Sequence, residues 1–390
     1  MGEPAIPPRL RRILSLDDFE RASAGALPSP IYAYLAGGAE TNRSFRDNRE
    51  SFDDWRFAPR VLVDVSSCST GAELFGRRWS QPFGIAPMGL CALFGYRGDV
   101  VLARAAAKAD IPMLVSGTSL IPLEDVRAAN PDAWFQAYLP GDFDGMIALV
   151  ERAAAAGYGT LVVTVDVPVA GNRENNVRAG FSTPLRPSLG LARDGLVRPR
   201  WLAGTFLRTL VAHGMPHFEN NYAHRGAPVM SSSVLRDFSD RAKLTWERLD
   251  RIRRMWKGPL VLKGILHAED AARAADAGAD GVIVSNHGGR QLDGASAPLR
   301  ALPEIVAACP RIPVMIDSGF RRGTDVLKAL ALGARFVFVG RPFAFALSVA
   351  GEDGVMHAAR ILGSEIARDL ALLGVTSLEA LPGAGVLRRT

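Results

Sequence analysis

The chain has 390 residues, with 46 Lys plus Arg against 40 Asp plus Glu, a formal charge of +6. At 48 % hydrophobic and 22 % charged residues it has the makeup of a folded globular protein, which excludes a disordered chain. Its three cysteines, Cys68, Cys91 and Cys309, are scattered with no C-x-x-C spacing, which excludes a disulfide framework and a cysteine-based zinc site.

The N-terminal stretch is basic, but Leu16-Asp-Asp-Phe-Glu20 follows too soon for the apolar core of a signal peptide. No run approaches the ~20 apolar residues of a membrane span, so a soluble, cytoplasmic chain is expected. Residues 1–80 read as an N-terminal extension whose segment 29–56 is expected to be helical. Short apolar runs without alternation then begin at 83, 111, 134, 160, 259, 281, 312 and 336, the pattern of strands buried on both faces. Ala- and Leu-rich helical stretches lie between them, several closing on a glycine, as at Gly157, Gly278 and Gly333.

Seven intervals link these eight strands, and six have the length of one βα unit. The spacing predicts an α/β chain folded as a (β/α)8 TIM barrel over residues 81–350. The interval between the fourth and fifth strands is longer and holds an insertion at about 183–240. Residues 351–373 read as the closing helix, and 1–390 as one domain. Within 183–230, Arg186, Arg193, Arg198, Arg200, Arg208 and Arg225 stand against Asp194 and Glu219, a net of +4. Trp201, Phe206 and Leu207 form an apolar patch beside that charge. A loop this long in a compact domain is as a rule functional or disordered.

Barrel enzymes keep their chemistry at the C-terminal strand ends. Here those ends carry Ser116, Gln136 and Tyr138, Thr164 and Asp166, Lys263, Ser285 to Arg290, Asp317 to Gly323, and Gly340-Arg341. Gly-rich turns after the seventh and eighth strands suit a phosphate, because bare backbone N–H groups can face the anion. Gly319, Arg321, Gly340 and Arg341 are the candidates. His287 can take a proton near neutral pH, and Arg290 can grip a carboxylate with two bonds. Lys263 could form a Schiff base or lend charge to a cofactor that gains electrons. No metal site is expected, and H-E-x-x-H, G-x-S-x-G, P-loop and G-x-G-x-x-G patterns are absent from the sequence.

Ser285-Asn-His-Gly-Gly-Arg-Gln-Leu-Asp293 resembles the active-site signature of the FMN-dependent L-2-hydroxy acid dehydrogenases and oxidases. The resemblance runs from about Ile31 to Leu373. It includes Tyr34-Leu-Ala-Gly-Gly-Ala-Glu40, Ile85-Ala-Pro87, Phe135-Gln-Ala-Tyr138, Thr164-Val-Asp166, Lys263-Gly and Asp317-Ser-Gly-Phe-Arg-Arg-Gly323. The last of these, with the basic insertion, is most similar to the membrane-associated mandelate dehydrogenase branch.

The resemblance implies oxidation of a 2-hydroxy acid to the 2-oxo acid, with His287 as base, oriented by Asp166, and flavin N5 as electron acceptor. It implies FMN held by Pro87, Met88, Gly89, Ser116, Gln136, Thr164, Lys263, Ser285, Asp317, Gly319, Arg321, Gly340 and Arg341. It places Arg290, Arg173 and Tyr34 on the substrate carboxylate, and Tyr138 on the hydroxyl or nascent carbonyl. Thr118 and Ala170 stand where glycolate oxidase has bulkier residues, so a large, mandelate-like substrate is expected, with a lactate-type acid as the other choice. Gly89 suggests electron transfer to a quinone or cytochrome rather than oxygen. A homotetramer, peripheral contact of 183–230 with the inner face of the membrane, and no nucleic-acid partner complete the expectation. The alternatives are an oxidase using oxygen or a peptide-borne substrate at the same site, and a non-catalytic protein that binds flavin or an anionic surface.

Overall fold

The computed structural model describes residues 6–182, 186, 189–231 and 240–390. Eight parallel strands form its centre: β1 (Phe83–Ile85), β2 (Leu114–Ser116), β3 (Trp134–Ala137), β4 (Leu161–Thr164), β5 (Leu260–Ile265), β6 (Gly281–Val284), β7 (Val314–Ile316) and β8 (Phe336–Val339). They hydrogen-bond in the order β1-β8-β7-β6-β5-β4-β3-β2, and a parallel bridge from Ile85 to Met113 joins the two ends into a ring. This is the TIM barrel that the spacing predicts. Every strand residue except Gly264 is buried, which is why the runs lack alternation.

The glycines expected to end helices do so. Gly157, Gly278 and Gly333 all take positive φ, and a Cβ on Gly333 would lie 2.8 Å from Val306 Cγ1. Helix α1 (Leu16–Ala26) starts with a capping box, in which Ser15 N donates to Asp18 Oδ2 at 2.8 Å and Asp18 N to Ser15 Oγ at 3.3 Å. It buries Phe19 against the ring of His357.

The 29–56 segment is less uniform than expected. Helices α2 (Ser29–Ala36) and α3 (Arg43–Glu50) are separated by a loop, and a short strand, Trp55–Phe57, pairs antiparallel with Leu387–Arg389. The break brings chain to the site, because Ala39 N donates to Gly289 O at 2.8 Å. A Cβ on Gly38 would lie only 2.9 Å from that same oxygen. The closing helix lies where it was expected: Arg341–Leu372 is two helices that meet at a kink at Ala350 and Gly351, where Gly351 takes φ +59°, and the second runs from that kink to Leu372.

The insertion departs most from expectation. Its described part is largely helical, over Leu189–Leu196, Pro199–Trp201, a π-helical turn Leu202–Leu207, and Arg208–His213. Residues 183–185, 187–188 and 232–239 lie outside the described residues. Trp201 is not part of an exposed patch. It is buried, its indole N–H donates to Leu93 O at 2.8 Å, and it stacks on Phe206. An amphipathic ring with one bond to a distant carbonyl is a tether, and here it fixes the insertion to the barrel. Of the expected patch Leu207 is exposed, as are Leu196, Val197, Val211, Met215 and Met230 elsewhere on the insertion. No described helix is long and apolar enough to cross a membrane.

Candidate active site

The C-terminal ends of the strands open on a cavity of about 740 Å³, within the ~300–1,000 Å³ range of small-molecule sites. Tyr138 and His287 line it as part of a hydrogen-bonded row of three side chains from three strand ends. Tyr138 Oη, just past β3, lies 3.2 Å from His287 Nε2. On the other edge of the ring, His287 Nδ1 lies 3.0 Å from Asp166 Oδ1, which follows β4. If Nδ1 carries the proton toward the carboxylate, Nε2 is left as the acceptor facing Tyr138. His287 takes φ +58°, a conformation that costs a non-glycine residue energy and is found mostly where geometry serves a site. Its amide donates to Ser285 Oγ at 3.0 Å, and that oxygen also accepts from Lys263 Nζ at 2.9 Å.

Burial pushes the His287 imidazole below its ordinary 6.5, and Asp166 only partly offsets that. The ring is therefore neutral near pH 7 and free to accept a proton. Burial also opposes ionisation of Asp166, yet His287 and then Lys263 hold its carboxyl below the ordinary range. Lys263 is buried, which by itself disfavours its charge, but Asp317 at 3.1 Å and then Asp166 raise it above the usual lysine value. It stays a cation.

Two guanidiniums face the same space. Arg290 Nη1 donates to Tyr34 O at 2.8 Å and Gly37 O at 2.7 Å, and Arg173 Nε donates to Arg290 O at 3.4 Å. Burial first, and the charge of Arg173 second, push Arg290 down to about 10. Like charges brought together and desolvated in this way call for an anion between them.

At the other end of the cavity, Ser318 and Gly319 both take positive φ after β7. A Cβ on Gly319 would lie 2.4 Å from Asn48 O of α3, so glycine is required for that approach. Arg341 donates through Nε to Leu35 O at 3.1 Å and through Nη2 to Gly37 O and Gly288 O. Burial, then Arg290 and Arg321, push it well below the usual guanidinium range. Arg321 pairs its Nη2 with Glu20 at 2.8 Å, while its Nη1 is buried with no hydrogen-bond partner among the described residues. Gln136 Nε2 and Thr164 Oγ1 are likewise buried and unpartnered.

The profile of the FMN-dependent dehydrogenase family matches residues 23–388. The chain belongs to that family. It is an FMN-dependent oxidoreductase acting on the CH–OH group of 2-hydroxy acids. It is 41 % identical to (S)-mandelate dehydrogenase of Pseudomonas putida over 374 residues, covering 95 % of this chain and 93 % of that one. It is 40 % identical to L-lactate dehydrogenase of Caulobacter vibrioides over 378 residues, covering 95 % and 96 %. The crystal structure of the monotopic membrane protein (S)-mandelate dehydrogenase superposes with a TM-score of 0.90 at 40 % identity, covering 97 % of this chain and all of that one.

The residues present fit the flavin of this family. Buried polar atoms without partners are costly and rare, and three of them, on Gln136, Thr164 and Arg321, belong to residues the sequence marked for FMN. Tyr34, Pro87, Met88, Gly89, Thr118, Ala170, Arg173, Asp317, Gly340 and the His287–Arg290 loop all line the cavity. Ser116, Gln136, Thr164 and Ser285 stand behind this wall. Ser116 Oγ lies 3.0 Å from Thr118 Oγ1, Gln136 Oε1 accepts from Gly117 N, and Ser285 braces Lys263 and His287.

Sequence reasoning missed several neighbours. Asn48 and Asn286 pair their amides at 2.9 and 2.6 Å, and Arg49 donates to Asp325 at 2.6 Å, fixing α3 under the Gly-rich turn. Phe181 stacks on Tyr34 at 4.7 Å between centroids. Arg186 and Arg241 also line the cavity. Of these only Asn286 sits in a motif, the Ser285–Asp293 signature.

Asp166→Asn tests the electrostatics. It removes the group that raises the His287 pKa, so the acid limb of kcat/KM, already below about 6.5, should move to lower pH. The plateau should fall, by roughly 10²–10⁴-fold, because the imidazolium loses its partner. Stopped-flow rates of flavin reduction against pH check this. A limb that stays in place separates Asp166 from the titration of His287.

Proposed function

We propose that the enzyme oxidises an L-2-hydroxy acid bearing a bulky, aromatic side chain, and that it does so at the surface of a membrane. The observation that carries the substrate reading is the shape of the cavity. Tyr34 and Phe181 are stacked, Phe94 and Phe218 line the same space, and Thr118 and Ala170 are small. Glycolate or lactate would leave that volume unfilled, at about 0.8 kcal/mol for each methylene not buried. An offset or edge contact with the aromatic wall adds about 0.5–1.5 kcal/mol for a phenyl substituent.

In this reading Arg290 and Arg173 hold the substrate carboxylate, which relieves their mutual repulsion. Tyr138 holds the hydroxyl oxygen as it becomes a carbonyl. His287 Nε2 accepts a proton from the substrate, and Asp166 stabilises the imidazolium that results. Lys263 supplies a fixed positive charge on the far side of the same centre. Bound FMN supplies the two-electron acceptor. Its phosphate would be held by Gly319, Arg321, Gly340 and Arg341, and the buried, unpartnered Arg321 Nη1 supports that reading.

The acceptor reading rests on Gly89. Gly89 lines the cavity, and a Cβ there would meet Thr118 Oγ1 at 2.3 Å, so an alanine at this position would require Thr118 to move. The membrane reading rests on Leu196, Val197, Leu207 and Val211, exposed beside Arg193, Arg200 and Arg208 on the insertion. Arg198 and Arg225 pair with Asp194 and Glu219, so the basic face is narrower than the sequence suggests. Attachment of this kind would bring the active site to a quinone or cytochrome. The monotopic mandelate dehydrogenase supports the analogy.

Anaerobic reduction of the bound flavin by glycolate, L-lactate, long-chain 2-hydroxy acids and L-mandelate tests the substrate reading. L-Mandelate should show the highest kcat/KM, and a preference for glycolate overturns it. His287→Ala should keep its yellow colour and lose roughly 10²–10⁴-fold or more of that rate.

Co-sedimentation with anionic vesicles tests attachment. Each basic residue near such a surface contributes about 1 kcal/mol, so binding should be clear at low salt and weak at high salt. The double variant Leu207→Asp/Val211→Asp should pellet less. A wild type that stays in the supernatant at low salt defeats the membrane reading.

A further inference from the structure

Arg241 follows the insertion directly, in a turn over Asp240–Lys243. Its guanidinium carbon lies 4.1 Å from the centroid of the Tyr138 ring, and the residue is only 9 % exposed. A second cavity of about 260 Å³, lined by Leu244, Trp246 and Leu249, lies against the first. Tyr138, Val167 and Arg241 line both, so the ring and the guanidinium over it form part of the partition between them. The edge of that ring bears the hydroxyl that reaches His287.

A cation over the face of a phenol does two things. It fixes the plane of the ring, and it draws electron density from the ring so that the O–H becomes a better donor. Burial pushes the Tyr138 phenol up, and Arg241 is the largest opposing influence, ahead of Lys263 and Arg173, with Asp166 acting the other way. A phenol that donates to a substrate oxygen gains most when charge develops on that oxygen, during the reaction rather than in the bound ground state.

We propose that Arg241 is a positioning residue for Tyr138, holding the ring toward His287 and strengthening its hydroxyl as a donor to the substrate oxygen. The inference rests on the reading of Tyr138 given above. It ties the C-terminal end of the insertion to the catalytic row, so the segment that carries the exposed apolar face also ends on the residue that sets the tyrosine.

The test is a double-mutant cycle on FMN-loaded enzyme, read as the anaerobic rate of flavin reduction and as the KM for L-mandelate. Arg241→Gln should lower kcat about tenfold and leave KM nearly unchanged, because the carboxylate grip is intact. Arg241→Lys should recover most of the rate, since an ammonium also sits over a ring. In the Tyr138→Phe background, Arg241→Gln should have no further effect.

Equal losses from Arg241→Gln with and without the tyrosine hydroxyl overturn the proposal alone. A wild-type rate for Arg241→Gln, or no recovery with lysine, also overturns it. A Tyr138→Phe enzyme with unchanged kcat overturns the reading of Tyr138 and the proposal with it. If Arg241→Gln loses its flavin, Arg241→Met, which keeps more of the packing, takes its place in the same cycle.

Discussion

Positive charge taken out of water at one end of the barrel is the constraint on which the rest of the site depends. Lys263 and Arg321 are buried, and Arg173, Arg290 and Arg341 are half-buried around the same cavity. Such groups are tolerated in a protein interior when they are paired and hydrogen-bonded. Lys263 has Asp317 and Arg321 has Glu20, but Arg290 and Arg341 bond to backbone carbonyls, which carry only partial charge. Their depressed pKa values record that deficit. A flavin phosphate at one end and a substrate carboxylate at the other would complete the charge balance. In the proposed reading the site takes two anions.

The scaffold accommodates this through rigidity on one side and strain on the other. Eight apolar strands deliver the polar strand ends in register, and the last turn of α2, through Tyr34 O and Leu35 O, with Gly37 O just after it, supplies carbonyls to Arg290 and Arg341. His287 and Ser318 hold left-handed conformations on the two loops that meet through Ser318 Oγ and Gly288 N at 3.0 Å. The catalytic row and the proposed phosphate turn are thus braced against each other. The insertion is fixed from above by Trp201 and from below by Arg152, which bonds the carbonyls of Glu219 and Tyr222 while pairing with Glu124.

The barrel was legible because strands buried on both faces write their burial as unbroken apolar runs, and helix-ending glycines mark the spaces between. That Tyr138, His287 and Asp166 stand together was legible in part, because strand ends are where polar residues interrupt those runs, while the pairing of His287 with Asp166 came from the family resemblance. The pairing of Glu20 with Arg321 was not legible, since it joins α1 to the turn after β7 across the length of the chain. The anchoring of Trp201 was not legible, because its partner, Leu93 O, is a backbone atom more than a hundred residues away. Phe181 and Arg241 reach the cavity through the path of the insertion, and composition does not encode a path. The closing helix was legible because Gly351, at the kink, separates it from the helix that follows β8.

The central claim, that the arginines beyond β7 and β8 exist for a phosphate, is open to one direct measurement. Flavin-free protein is titrated with FMN and with riboflavin, which shares the ring and ribityl chain but lacks the phosphate. FMN should bind at least 10²-fold more tightly, since charge-assisted bonds contribute about 1.5–3 kcal/mol each. The advantage should shrink when Arg341 is replaced by Met. Equal affinity for the two flavins would contradict the account, because the buried cations would then serve no anion on the cofactor.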